Sequence, residues 1–477
     1  MVRFLNPLAS STFRKVFFWI RLVCLFLLVA AALQLVSWSH QYDPRFYQFL
    51  GTAPGKALSS IMEWPNLYNR VNAEVEVEDF SDEEKLWHTR IQNRLLQSWP
   101  THTLFLKDGT VRHVRILRNE DGKLWVREHF GHQGRLETSL SLSDIRETQA
   151  YSEPLPPVSL RDILFQMEYP EFDLTYFGHY TVLTDAPYYQ VADSVEVLET
   201  LHQQYIETFS SIIRFPQEQK NLQVLFFSNE EDYREHQRET APDLKSSVGY
   251  YSPLEDRMVV YNQQYSERAM KVRKEVEQDI AELLKRAENP AQRREILSIQ
   301  QNVEQQIRDR ARQETVSTLR HEAAHHLSYT YGVHSWIHTE NGWLIEGLAS
   351  YFESTLSLNM NLELVDSLQR LKRQNRIPPL SKLMDVRQPL HFEQELPGIK
   401  SHEAYALSWS LFYFCMLPEN RDGFFTYIRN LQNPKDIGWL MATPRIEILS
   451  VSLGLRPDEL EEKWRQHLDQ MLAETWG

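Results

Sequence analysis

The chain has 477 residues, of which 42 % are hydrophobic and 24 % charged, and its formal net charge is −14. This composition is typical of a folded protein with more than one domain and excludes a largely disordered chain. The charge is spread along the sequence without a clustered basic face, so we expect no nucleic-acid partner.

The first feature along the chain is an apolar run at residues 16–38, interrupted by Arg21 and Gln34. Its length is close to the ~20 residues that cross a bilayer. Basic residues lie before it or early in it, so we predict a transmembrane anchor in residues 1–40 with a cytoplasmic N-terminus. A signal peptide cleaved near residues 30–32 is the alternative. Both interpretations put the rest of the chain outside the cytoplasm.

The next two segments differ in their periodicity. Residues 41–100 are predicted to be a juxtamembrane helical region, in which Ser81 is the expected N-cap of the clearest helix. Residues 101–149 alternate apolar and polar residues around two Asp-Gly turns, which predicts short antiparallel strands. Their pattern resembles a small SH3-like β-barrel. We interpret it as a spacer without catalytic chemistry, and protein partners for it stay open.

The remaining chain is predicted to be one α+β domain. Residues 150–170 are rich in proline at their start and predict a linker. Strand and helix signals then follow one another through residues 171–477. They are interrupted at residues 266–313 by a highly charged stretch that predicts a helical hairpin insertion. Such a run of charges is typical of a solvated surface rather than a binding patch.

The motif HEAAH lies in a segment whose apolar residues recur at helical spacing. His321 and His325 are therefore expected on one face of a helix, one turn apart, where both imidazoles can reach one zinc ion. Glu322 lies beside them, where it can deprotonate a water on the metal. The pattern predicts a zinc site, although a chance match on a structural helix has to be considered.

A third ligand decides whether the motif is meaningful. The metzincin pattern requires a glycine and a histidine where this chain has Ser328 and Tyr331, so that class is excluded. Glu346 lies instead in the apolar run "GWLIEGLASYFE". Because burying an unpaired carboxylate is costly, a metal ion would explain the position of Glu346.

These residues resemble a known group. HEAAH followed by Glu346 is similar to the gluzincins, the thermolysin-like zinc peptidases of clan MA, and "GWLIEGLASYFE" looks closest to an uncharacterised bacterial peptidase-MA-like family. The resemblance extends from about Tyr176 to Leu472 and implies a thermolysin-like zincin domain at 171–477. It also implies a bacterial inner-membrane protein with its catalytic domain in the periplasm.

The resemblance assigns roles to individual residues. It implies that His321, His325 and Glu346 bind Zn2+ and that Glu322 is the general base. Tyr405, with His402 as second choice, would donate to the oxyanion, or else Tyr405 is an ordinary core residue. Glu353 would orient a ligand histidine or, alternatively, be an exposed acid. The residues involved lie in the segments "HEAAH", "IEGLASYFE" and "SHEAY".

The expected activity is hydrolysis of a peptide or protein substrate. The strand at Gly249–Ser252 or Arg257–Tyr261 is a candidate for pairing with extended substrate, with ordinary sheet packing as the alternative. The chain has no GxMEN motif for an N-terminal amine, which favours an endopeptidase. The competing hypothesis is a non-catalytic zinc-binding envelope scaffold with a peptidase-like fold.

Overall fold

The computed structural model describes residues 77, 80–128, 137–152, 154–186, 188–214, 221–244, 247–253, 255–334, 341–354, 360–432 and 443–476. This part of the protein is mixed α+β and 62 % helical. The predicted anchor at residues 16–38 lies outside the described residues. Within them, no helix is both long enough and apolar enough to cross a membrane.

The first described elements are a helix and an antiparallel sheet. Helix α1 (Asp82–Ser98) begins with a capping box in which Ser81 and Glu84 exchange hydrogen bonds. Five strands follow in the order β4-β3-β2-β1-β5. Their bounds are β1 His102–Leu106, β2 Val111–Glu120, β3 Lys123–Glu128, β4 Glu137–Ser141 and β5 Ile145–Ala150.

The predicted SH3-like barrel is wrong, because this sheet is not closed. Strands β4 and β5 are its two edges, and no pairing joins them among the described residues. Alternation along the sequence predicts strands and neighbouring pairs, but closure also needs a matching strand tilt and stagger, which alternation does not encode. The buried side chains of this sheet are few: Leu104, Leu106, Val114, Leu124 and Val126.

The second sheet lies beside the segment that carries HEAAH. Its strands are ordered β6-β7-β8-β10-β9, with β7, β8 and β10 parallel and the edge strands β6 and β9 antiparallel to their neighbours. Helix α3 (Tyr188–Phe209) connects β7 to β8, as a parallel pair requires. The bounds are β6 Asp173–Phe177, β7 Tyr180–Thr184, β8 Leu222–Phe227, β9 Gly249–Ser252 and β10 Arg257–Tyr261.

The predicted charged hairpin and the HEAAH segment share one long helix. After α2 (Leu160–Glu168), α4 (Glu230–Thr240) and α5 (Glu267–Arg286), helix α6 runs without interruption from Pro290 to Thr330. Residues 291–331 contain neither glycine nor proline, so nothing in the sequence breaks the helix. The first part of α6 is largely exposed, and the part from Leu319 onward is buried.

The remaining helices form the main hydrophobic core with α3 and the buried end of α6. Trp343, Trp409 and Trp464 are fully buried in it. The helices are α7 Gly342–Glu353, α8 Leu362–Arg373, α9 Leu380–Asp385, α10 Phe392–Glu395, α11 Ser401–Cys415, α12 Pro418–Leu431, α13 Arg445–Ser452 and α14 Pro457–Trp476.

Candidate metal centre

Helix α6 places two imidazoles at the start of its buried end. His321 and His325 are one turn apart, and their Nε2 atoms are 3.1 Å from each other. Both side chains are largely buried, with 12 % and 10 % of their surface exposed. The spacing of the motif therefore produces the convergence that a shared ion requires.

Helix α7 brings the carboxylate of Glu346 to the same point. Its Oε2 lies 3.2 Å from His321 Nε2 and 3.7 Å from His325 Nε2. The adjacent Gly347 allows α7 to pack closely on α11, because a Cβ at residue 347 would lie 2.5 Å from the carbonyl oxygen of Ser408. Glu346 itself is buried.

The three side chains fit a zinc ion in both chemistry and spacing. Ligands at zinc bond lengths around a tetrahedral ion are separated by about 3.4 Å. The three separations here are 3.1, 3.2 and 3.7 Å. Oε2 of Glu346 is buried and faces the Nε2 atoms of His321 and His325, as expected for three atoms that share one metal ion. His321, His325 and Glu346 therefore form a group that can hold a metal ion.

Glu353 holds one of these imidazoles from behind. Its Oε1 accepts a hydrogen bond from His321 Nδ1 at 2.6 Å, and its Oε2 accepts one from Asn361 Nδ2 at 2.8 Å. This arrangement directs the Nε2 atom of His321 toward His325 and Glu346, which is how a carboxylate orients a ligand histidine. Asn361 had no motif around it in the sequence and enters the site only through the fold.

Charges in the group oppose the cost of burial. Burial raises the pKa of Glu346, but the imidazoles of His325 and His321 outweigh this effect and keep its pKa well below the usual range. Burial lowers the pKa of His321, but the combined effect of Glu346 and Glu353 in raising it is larger. The pKa of His321 therefore lies well above its usual value. The carboxylates of Glu346 and Glu353 and the imidazole of His321 therefore stabilise one another in this buried group.

Glu322 lies against the edge strand β9. Its Oε2 accepts a hydrogen bond of 2.8 Å from the backbone N–H of Tyr251. Strand β9 can approach because residue 249 is glycine: a Cβ there would lie 2.7 Å from Cγ2 of Thr318. Burial raises the pKa of Glu322, and the nearby imidazoles only partly offset this. A backbone donor gives no sequence signal, so the sequence does not predict the contact with Tyr251.

Tyr405 on α11 lies at the site, and His402 does not. The Tyr405 ring faces His321 with the ring centroids 6.2 Å apart, whereas the His402 side chain is exposed. The negative charge of Glu346, followed by burial, raises the pKa of Tyr405 well above its usual value. The phenol is therefore protonated at neutral pH and can donate a hydrogen bond.

Two neighbouring histidines have other contacts. His326 Nε2 is 3.4 Å from Oδ1 of Asp256, and the His326 ring stacks on Tyr251. Burial, followed by the charge of His325, lowers the pKa of His334 to about 3. Neither belongs to the group of metal-binding geometry, and the next histidine along the chain, His338, lies outside the described residues.

Comparison with known proteins gives a match to part of the chain. Residues 315–437 match a family described as a protein of unknown function, DUF1570. That range includes the HEAAH motif, Glu346, Glu353 and Tyr405. No curated protein matches the chain. The similarity thus covers the residues that form the candidate metal centre and gives them no activity.

Proposed function

We propose that the protein is a zinc metallopeptidase of the gluzincin type, in which His321, His325 and Glu346 hold the ion. The main support is the position of Glu322, a carboxylate of raised pKa directly beside a preassembled set of two imidazoles and one carboxylate. Many structural zinc sites are closed by four protein ligands, whereas three ligands next to a base are typical of hydrolytic sites.

The chemistry would be divided between the ion and the protein. When bound, zinc would lower the pKa of a coordinated water and polarise the carbonyl group that the water attacks. Glu322 would accept the proton of the water and later deliver it to the leaving amine. The N–H of Tyr251 would hold Glu322 Oε2 in position during both transfers.

Tyr405 is the proposed donor to the developing oxyanion. A phenol with a raised pKa keeps its proton at neutral pH, so it can stabilise negative charge by donating a hydrogen bond. Its ring faces His321, and Phe392 packs against it at a centroid distance of 5.9 Å. These contacts restrict the ring to one region beside the metal ligands.

The proposed substrate is a peptide in extended conformation. Strand β9 is an edge of the second sheet and lies directly against Glu322 through Gly249 and Tyr251. An added strand at this edge would bring its backbone close to the general base. Three further points stay predictions from the sequence alone. They are that the protein is an endopeptidase, that it lies outside the cytoplasm and that it is attached to a membrane.

The test separates metal binding from catalysis. Full-length protein and its His321→Ala variant are analysed for zinc, and the protein, Glu322→Gln and the control Glu295→Gln are assayed with a peptide library. Glu295 is an exposed acid on the same helix. We expect one zinc ion per chain to be lost in His321→Ala, and Glu322→Gln to keep that ion while its hydrolysis falls by about 10²- to 10⁴-fold.

Two results would contradict the proposal. Folded protein that takes up no zinc at His321 would exclude the metal-dependent mechanism. Zinc binding combined with equal activity of the protein and Glu322→Gln would exclude Glu322 as the base. The second result would favour the non-catalytic scaffold.

A further inference from the structure

A second cluster of metal-binding residue types lies outside the proposed active site. His179 in the turn between β6 and β7, and Glu199 and His202 on helix α3, each offer one ligand atom within 4.8 Å of the other two. All three precede residues 315–437, which match the family of unknown function. We propose that these three residues bind a second zinc-type divalent cation, and this proposal does not depend on peptidase activity.

Local geometry supports a built site. Glu199 and His202 are three residues apart on α3 and share a helix face, an arrangement that also holds metals in helical bundles. Gly178, with a φ angle of +52°, turns the chain so that the next residue meets Glu199. The N–H of His179 donates to Glu199 Oε1 at 2.7 Å, which fixes the carboxylate.

Each ring has a partner that orients it. His179 Nδ1 lies 2.8 Å from Glu199 Oε2, and the rings of His179 and His202 stack at a centroid distance of 3.8 Å. His202 Nε2 lies 2.7 Å from the hydroxyl of Tyr331, the C-cap residue of α6. The contact of His202 with Tyr331 is an outer hydrogen bond of the kind that ligand histidines typically make, because it selects the ring orientation.

The solvent exposure and the conformational freedom of two of the three side chains favour an ion that exchanges with solvent. The side chains of His179 and Glu199 are 41 % and 32 % exposed, so an ion can enter from solvent, whereas His202 is buried. Ligand atoms up to 4.8 Å apart must approach to about 3.4 Å around a tetrahedral ion. Exposed side chains can make shifts of about 1 Å by small rotamer adjustments. The ion would replace the direct hydrogen bond between His179 and Glu199.

The competing explanation is a hydrogen-bonded ion pair beside stacked rings, with no metal. Zinc stoichiometry of the full-length protein distinguishes the two. After equilibration with zinc chloride and removal of free metal, we expect two ions per chain in the protein and one in His321→Ala/His325→Ala. Adding His179→Ala and Glu199→Gln to that variant should remove the remaining ion.

Matched variants make the result specific. Glu196→Gln alters an exposed acid one turn earlier on α3 and should leave the stoichiometry unchanged. His179→Gln, which keeps a polar side chain, should weaken zinc binding at this site at least tenfold. As a second measurement, zinc should raise the melting temperature of His321→Ala/His325→Ala but not of the variant that also lacks His179 and Glu199.

The proposal is overturned if His179→Ala/Glu199→Gln, folded as judged by a cooperative melt, binds as much zinc as the unaltered protein. This outcome is independent of the active-site proposal. Failure of zinc binding at His321 and His325 would not remove the ion expected at His179, and loss of the second ion would leave hydrolysis to be judged by Glu322→Gln.

Discussion

Two groups in this protein contain two histidines and one glutamate, and they differ in their surroundings. In the group of His321, His325 and Glu346, all three side chains are largely buried and two helices supply them. In the group of His179, Glu199 and His202, a turn and a helix supply the ligands, and two side chains are substantially exposed. The same residue types are thus held with very different rigidity.

The comparison shows what the fold adds to a motif. The buried group has its ligand atoms 3.1 to 3.7 Å apart, close to the separation that an ion imposes, whereas the exposed group has to contract. Holding the ligand atoms this close together requires charged groups to be buried, which costs free energy. The hydrogen bonds of Glu353 with His321 and Asn361 offset part of that cost. We therefore expect tighter binding at the buried group and faster exchange at the exposed one.

The largest predicted effect concerns the packing behind the buried group. Gly347→Ala would place a Cβ against the backbone carbonyl of Ser408, which cannot rotate away, so α7 must move from α11. Overpacking of this kind costs about 1–3 kcal/mol, partly offset by the higher helix propensity of alanine. We expect a loss of about 2 kcal/mol in the free energy of unfolding, measured with urea.

The same variant should also weaken zinc binding, because Glu346 precedes residue 347 and moves with α7. Zinc affinity is measured on folded protein below the urea transition. Unchanged stability together with unchanged affinity would show that the close contact between α7 and α11 does not set the position of Glu346.

The next largest effect concerns the hydrogen bond between His321 Nδ1 and Glu353. In the exposed group, the corresponding partner of His202 is the hydroxyl of Tyr331 rather than a carboxylate. Glu353→Gln removes the negative charge that accepts from His321 Nδ1. Loss of such an outer partner typically costs 10- to 100-fold in metal affinity. We expect this loss at the buried group alone, measured by zinc titration against a chelating indicator.

Glu363→Gln, an exposed acid at the start of α8, is the control for Glu353→Gln. It should bind zinc with the affinity of the unaltered protein. Equal affinities for all three proteins would mean that His321 needs no carboxylate to orient it.

His236 provides a third histidine environment for the comparison, because its ring nitrogens contact hydroxyl groups rather than a carboxylate. His236 is buried and contacts the hydroxyls of Tyr169 and Thr240. Burial, followed by the charge of Arg257, lowers its pKa to about 4, although Glu168 partly opposes this. Between pH ~6.5 and ~4 the unfolded chain binds a proton at this residue that the folded chain does not.

The stability contribution of neutral His236 is therefore complete above pH ~6.5 and is lost as the pH falls toward 4. The loss is about 2 kcal/mol, since 2.5 pKa units set an upper limit of about 3 kcal/mol. The measurement compares urea unfolding of the protein and His236→Gln between pH 7.5 and 4.5. Parallel pH dependence of the two proteins would contradict a depressed pKa for His236.

The candidate metal residues could be predicted because a local sequence pattern marks each of them. HEAAH determines which helix face carries His321 and His325, and an acid inside an apolar run marks Glu346 as unusual. Tyr251 could not be predicted, because it acts through its backbone N–H. The group of His179 and Glu199 was also missed, since its members are 20 residues apart and come together through a glycine turn.

The fold was harder to predict at the points where elements meet. Alternation identified strands in residues 101–149, but the predicted barrel fails because nothing in a repeating pattern specifies whether β4 and β5 pair. The hairpin insertion and the HEAAH segment looked like separate units because polarity changes along α6. Backbone continuity from Pro290 to Thr330 follows instead from the absence of helix-breaking residues.

The smallest predicted effect is the counterpart of Gly347→Ala at the exposed group. Gly178→Ala would place a Cβ 2.3 Å from Oε1 of Glu199, the end of a flexible side chain that can move aside. The φ angle of +52° adds a backbone cost of about 1 kcal/mol for alanine. The free energy of unfolding should therefore fall by about 1 kcal/mol, less than for Gly347→Ala.

Zinc binding gives this last comparison a second measurement. Displacing the Glu199 carboxylate breaks its hydrogen bond from the N–H of His179 and should weaken the second ion while leaving binding at His321 and His325 unchanged. If Gly178→Ala instead destabilised the protein more than Gly347→Ala, the rigidity assigned to the two groups would be reversed. Because Gly347 faces a backbone carbonyl and Gly178 faces the end of a side chain, the two losses compare how far each neighbourhood can adjust to an added methyl group.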